Sequence, residues 1–160
     1  MNRLHFNFYL FLKIPISWIA GVRLQLLNDE SCITKVKFGW LNQNPFNSMF
    51  WAVQGMAAEF TTGFLCAEKI RKSGKRISML VVHNEATFTK KAIGKITFAC
   101  HQGKEIDTIL QQAIDTGEGQ TITLYSEGKD EKGDLVSKFA FTWSFKVKIG
   151  RASCRERVSS

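Results

Sequence analysis

One long apolar stretch limits what this chain can fold into. Residues 44–63 read NPFNSMFWAVQGMAAEFTTG. Asn44 before Pro45 is turn chemistry, and Asn47 or Ser48 can cap a following helix. From there to residue 72 the spacing predicts a helix. Its apolar residues, among them Met49, Phe50, Trp51, Val53, Met56, Phe60, Phe64 and Leu65, fall nearly all round. A helix that is apolar on every side is buried. Gly55, Ala57, Ala58 and Gly63 are small enough for another backbone to come close. Gly74, after a basic last turn, is a C-terminal stop. A single carboxylate, Glu59, sits in the second half of this core-like helix. A buried carboxylate is costly, so it needs a partner or a purpose.

The flanking sequence supplies strands to wrap that helix. In GVRLQLLNDESCITKVKFGWL, Val22, Leu24 and Leu26 alternate with Arg23 and Gln25. NDES breaks the run, and Val36 and Phe38 then alternate with Lys35 and Lys37, which predicts a hairpin. After residue 77, four segments rich in β-branched and aromatic residues follow. In the last, Phe139, Phe141, Trp143 and Phe145 share one face. Between the middle strands, Ile106, Ile109, Leu110 and Ala113 are spaced as a helix face. Residues 3–13 predict an amphipathic helix ended or kinked by Pro15. That run is too short and too interrupted to span a bilayer. Its expected place is packed on the domain, with a membrane-surface role as the alternative. The layout is α+β, with a curved antiparallel sheet around one long helix.

The final segment, IGRASCRERVSS, has no periodicity of its own. It resembles the translation of a common sequencing-library adapter. Residues 149–160 are therefore read as a non-native tail, and residues 1–148 as a single domain. Without Arg151, Arg155, Arg157 and Glu156 the balance is 19 basic against 13 acidic residues, a net charge of +6. That suits an anionic partner without naming one. Cys32, Cys66 and Cys100 lie far apart with no metal-ligand spacing, as do His83 and His101. Buried reduced thiols of a cytoplasmic protein are the expectation, with no metal.

The helix NPFNSMFWAVQGMAAEFTTG and the strand pair ATFTKKAIGKITFAC, residues 86–100, together resemble the hotdog fold of acyl-CoA thioesterases. The second segment is similar to that superfamily's F-x-(R/K)-x-A-x-G-x-(I/L) pattern at Phe88, Lys90, Ala92, Gly94 and Ile96. The chain most resembles a domain-of-unknown-function branch related to the phenylacetic-acid-type (PaaI-like) enzymes, over residues 15–148.

The resemblance implies an acyl-CoA substrate, no cofactor, and a homodimer or dimer of dimers with sites at the subunit interface. It implies Glu59 as general base or nucleophile toward the thioester, and Asn44 as the group orienting water or substrate. Free N–H groups of the first helical turn, around residues 49–52, would polarise the carbonyl. Ser48, Phe50, Trp51, Gln54, Lys90 and Lys91 are the expected substrate-binding set. The family often carries His-Gly-Gly or His-Ala-Gly in that first turn, where this chain has Phe50, Trp51 and Ala52. A non-catalytic acyl-CoA or lipid-binding module is the alternative. Nucleic acid is not an expected partner, because strict alternation of the aromatic strand is what a buried face produces.

Overall fold

The computed structural model describes residues 3–148; the stretch read as a tail, residues 149–160, lies outside the described residues. Helices α1 (Arg3–Lys13) and α2 (Pro15–Ile19) open the chain. Pro15 stands at the first position of α2, where a missing N–H costs nothing. The predicted hairpin follows as β1 (Arg23–Leu27) and β2 (Cys32–Lys37). Helix α3 spans Trp51–Ser73, and Gly74 ends it at φ +66°. Strands β3 (Ile77–Phe88) and β4 (Lys95–Cys100), helix α4 (Gly103–Thr116), and strands β5 (Gln120–Lys129) and β6 (Leu135–Val147) complete the order.

The six strands form one antiparallel sheet in the order β1-β2-β4-β5-β6-β3. It curves around α3, which is the hotdog architecture. Phe139, Phe141, Trp143 and Phe145 are all buried under the helix, as their alternation predicts. The small residues of α3 set the distance. A Cβ placed on Gly55 would lie 3.6 Å from the Phe139 ring, and one on Gly63 would lie 3.1 Å from Trp143. Thr34 of β2 donates to the Ala57 carbonyl at 2.8 Å, and Thr61 donates to Ser126 of β5 at 2.9 Å. Polar side chains thus fix where an otherwise greasy helix lies on its sheet.

α1 packs on the domain through Phe6 and Leu10, both buried; Phe6 meets Phe64 edge-on with centroids 4.5 Å apart. Cys32, Cys66 and Cys100 are free, buried thiols. Burial pushes the Cys100 thiol up to about 11. No described helix is long and apolar enough to cross a membrane.

Strand β3 is a sheet edge, and a bulge between Val81 and His83 changes its phase. Met79 and Val81 oppose Phe145 and Trp143 before the bulge. After it, Asn84 and Ala86 oppose Phe141 and Phe139 and so come onto the helix side.

Candidate functional site

The helix begins three residues later than its sequence predicts, and that displacement builds the site. Neither Asn47 nor Ser48 caps α3; its N-cap is Phe50, which offers no side-chain bond. The Asn44 carboxamide holds the intervening turn instead. Its Oδ1 accepts from the Phe46 amide at 2.9 Å and the Ser48 amide at 3.3 Å, and its Nδ2 donates to Ser48 Oγ at 3.1 Å. Asn47 takes a left-handed conformation within this turn, at φ 57°. The chain then adds to the sheet side. The Met49 amide donates to the Ala92 carbonyl at 2.9 Å, and the Phe50 amide to the Asn42 carbonyl at 2.8 Å.

Those two bonds decide which helix-start amides remain for a ligand. The amides of Val53 and Gln54 both go to the Phe50 carbonyl, at 3.0 and 3.3 Å. Trp51 and Ala52 have no intrahelical acceptor by position, so the expected donors narrow to these two. They sit at the positive end of a 23-residue helix.

A cleft of about 420 Å³ lies beside this turn. Asn44, Ser48, Trp51, Gln54, Lys90 and Lys91 all line it, so six of the eight residues singled out from sequence meet at one place. Met49, Phe88, Thr89 and Ala92 complete the wall. Phe88 and Ala92 were part of the sequence motif, but only as fold markers. Phe50 lies outside the cleft wall, half-exposed, with its ring 6.0 Å from that of Trp51.

The polar groups of the cleft differ in freedom. Gln54 is buried; it donates to the Met49 carbonyl at 3.2 Å and accepts from Ser137 at 2.9 Å. The Lys90 ammonium sits between Asp130 and Asp134 at 2.6 and 2.7 Å, and their hydrogen bonds raise its pKa. Lys91 is exposed and donates to the Phe46 carbonyl at 2.9 Å.

Glu59 is not in that wall. It lies eight residues along α3 from Trp51, about 12 Å at 1.5 Å per residue. Gly55 and Gly63, one turn before and one turn after it, face Phe139 and Trp143. Glu59 is therefore aimed along the same stripe, at the level of Phe141. Asn84, opposite Phe141, is the polar residue at that level of β3. Sequence reasoning missed Asn84, which is exposed on that face, because the bulge that sets its side of the strand leaves no mark in the pattern. The Glu59 carboxyl is partly buried, and burial raises its pKa. Among the described residues its carboxylate has no hydrogen-bond or ion-pair partner. A base held in this state gains proton affinity, which is what general-base chemistry uses.

A family model described as a domain of unknown function (DUF4442) matches residues 3–145. The chain belongs to this family. No curated protein matches it. Among solved structures it is similar to a protein of unknown function and probable thioesterase from Pseudomonas aeruginosa, with 20% identity, TM-score 0.77, and coverage of 91% of this chain and 96% of that one. It is also similar to a thioesterase from Haemophilus influenzae, with 11% identity, TM-score 0.70, and 95% of both chains covered. A third is a thioesterase from Staphylococcus aureus, with 16% identity, TM-score 0.60, and 78% of this chain and 93% of that one covered. That protein was crystallised with a glutamine replaced by alanine and, separately, with a glutamate fifteen positions later replaced by alanine. These likenesses show the hotdog fold.

Proposed function

We propose that the protein is an acyl-CoA thioester hydrolase in which Glu59 is the general base or nucleophile. The observation that carries this reading is a partly buried, unpartnered carboxylate midway along the central helix of a hotdog fold. The spacing supports it. Asn44 precedes Glu59 by fifteen residues, the separation of the glutamine and glutamate replaced in the Staphylococcus aureus thioesterase.

The chemistry follows from the parts. The thioester carbonyl oxygen would accept from the Trp51 and Ala52 amides at the helix start. Glu59 would take a proton from water as its oxygen adds to the carbonyl carbon. The C–S bond then breaks, and the thiolate leaves with that proton as free coenzyme A. In the nucleophilic variant the carboxylate adds first and the C–S bond breaks to release the coenzyme A thiolate; water then opens the resulting anhydride, restoring the Glu59 carboxylate, releasing the acid and giving a proton to the thiolate. Lys91 would meet coenzyme A phosphate at the cleft mouth.

The distance of Glu59 from the Asn44 cleft gives the assembly a role. A homodimer would let one subunit's Glu59 work with the other's helix start. Edge strand β3 carries exposed Leu80 and Val82, which suits pairing with a second copy. The free buried thiols suit a reducing compartment, and we assign the protein to the cytoplasm.

A second reading rests on Trp51. Its bulky side chain lines the cleft where the family often has glycine, which favours a module that binds acyl-CoA without hydrolysing it. A panel of acyl-CoAs incubated with the protein, with free thiol followed, separates the two. Turnover supports the hydrolase. Saturable acyl-CoA binding with no thiol release supports the binding module and overturns the hydrolase.

A further inference from the structure

The N-terminal helices carry apolar surface that their own packing does not use. Phe6 and Leu10 take α1 into the core, while Phe8, Phe11 and Leu12 stay exposed on its other side. Phe11 meets Trp18 edge-on at 5.0 Å, and both line an open apolar groove of about 570 Å³ together with Phe8. On α2, Ile16 and Ile19 are 64% and 54% exposed. Ile19 leads into a second groove shared with Lys37, Trp40 and Leu41, where Trp40 is 81% exposed. Exposed apolar surface on this scale marks a contact with something.

Charge indicates the occupant. Residues 1–28 contain no Asp or Glu, while Arg3, Lys13 and Arg23 are basic. Arg23 lies over the Trp18 ring at 4.4 Å, Lys13 is in the last turn of α1, and Lys37 lines the second groove. An acid-free surface of Phe, Trp, Leu and Ile flanked by lysine matches the boundary between lipid headgroups and acyl chains. At 11 residues, α1 is about 16 Å long, suited to lying in that boundary and too short to cross it.

We propose that α1, α2 and the turn at Trp40 form a peripheral docking face for a membrane surface carrying anionic lipid. Phe8, Leu12, Ile16 and Trp40 enter the headgroup boundary, and Lys13 and Lys37 meet lipid phosphates. This inference is independent of the thioesterase reading.

The full chain is sedimented with vesicles of phosphatidylcholine alone, and of phosphatidylcholine with phosphatidylglycerol. Binding to the anionic vesicles that weakens as salt rises is expected. The double variant Phe8→Asp/Leu12→Asp should bind about tenfold less, with its circular dichroism unchanged. Trp40→Ser, at the start of the short 3-10 turn Trp40–Asn42 and 81% exposed, gives the same reading if the helix variant fails to fold. Lys132→Glu, on the β5–β6 hairpin, should bind as the native chain does. No binding by the native chain, or equal binding by Phe8→Asp/Leu12→Asp and Trp40→Ser, would overturn the proposal. So would a native oligomer that the double variant dissociates in light scattering, because a second copy would then cover the face.

Discussion

Trp143 donates its indole N–H to the Thr62 hydroxyl at 3.0 Å, three residues along α3 from Glu59. Both groups are buried, so the bond ties the helix to β6 beside the carboxylate. Thr62→Val keeps the shape and leaves the indole N–H without an acceptor. It should cost about 1–3 kcal/mol of stability, the penalty of one stranded buried donor. Urea unfolding checks this, and an unchanged midpoint would remove the bond from the account.

Gln54 is a structural tie first and a ligand contact second. It links the Met49 carbonyl at the helix start to Ser137 on β6. Gln54→Leu should lose about 1–3 kcal/mol. The pair of single variants and the double Gln54→Leu/Ser137→Ala should couple by about 0.5–3 kcal/mol in a double-mutant cycle. Additive losses would show that the two side chains do not act together.

The two adjacent lysines should behave differently toward coenzyme A. Lys91→Ala should raise KM for acyl-CoA about three- to tenfold and flatten its salt dependence. A thioester of a short thiol without phosphates should not feel the change. Lys90→Ala should have a smaller effect on KM, because Asp130 and Asp134 already hold that ammonium. Equal effects of both variants would assign the phosphate site elsewhere.

Much of this architecture was legible, and the reasons are particular. The alternation of Phe139, Phe141, Trp143 and Phe145 names a buried face because only small residues, Ala140, Thr142 and Ser144, separate them. The run Met79, Leu80, Val81, Val82 could not, because it is apolar on both faces, and the bulge beside it was invisible. The helix start was misplaced at Ser48 because the Met49 amide finds its acceptor at Ala92, a contact between segments far apart in the chain. Asn44, Lys90 and Lys91 line one cleft, a meeting of segments more than forty residues apart that no local pattern announces. The separation of Glu59 from that cleft depends on the path of the helix over the sheet, which no local pattern encodes.

Glu59 should also set a pH dependence of stability. Burial raises its folded-state pKa above the unfolded value. Between those two values the folded state holds more protons, so stability falls as pH rises through this window. The cost is absent below the unfolded pKa and complete above the folded one. Glu59→Gln should therefore be more stable than the native protein at neutral pH, and the difference should vanish in acid. Thermal unfolding of both proteins from acid to neutral pH reads the sign directly. A Gln variant less stable at neutral pH would mean that the carboxylate has a partner.

The most direct measurement is turnover of the acyl-CoA panel by native protein and Glu59→Gln at matched folded fractions. The native protein should release free thiol, and the variant should lose about 100-fold or more of kcat while still binding substrate. Unchanged hydrolysis by Glu59→Gln would contradict this.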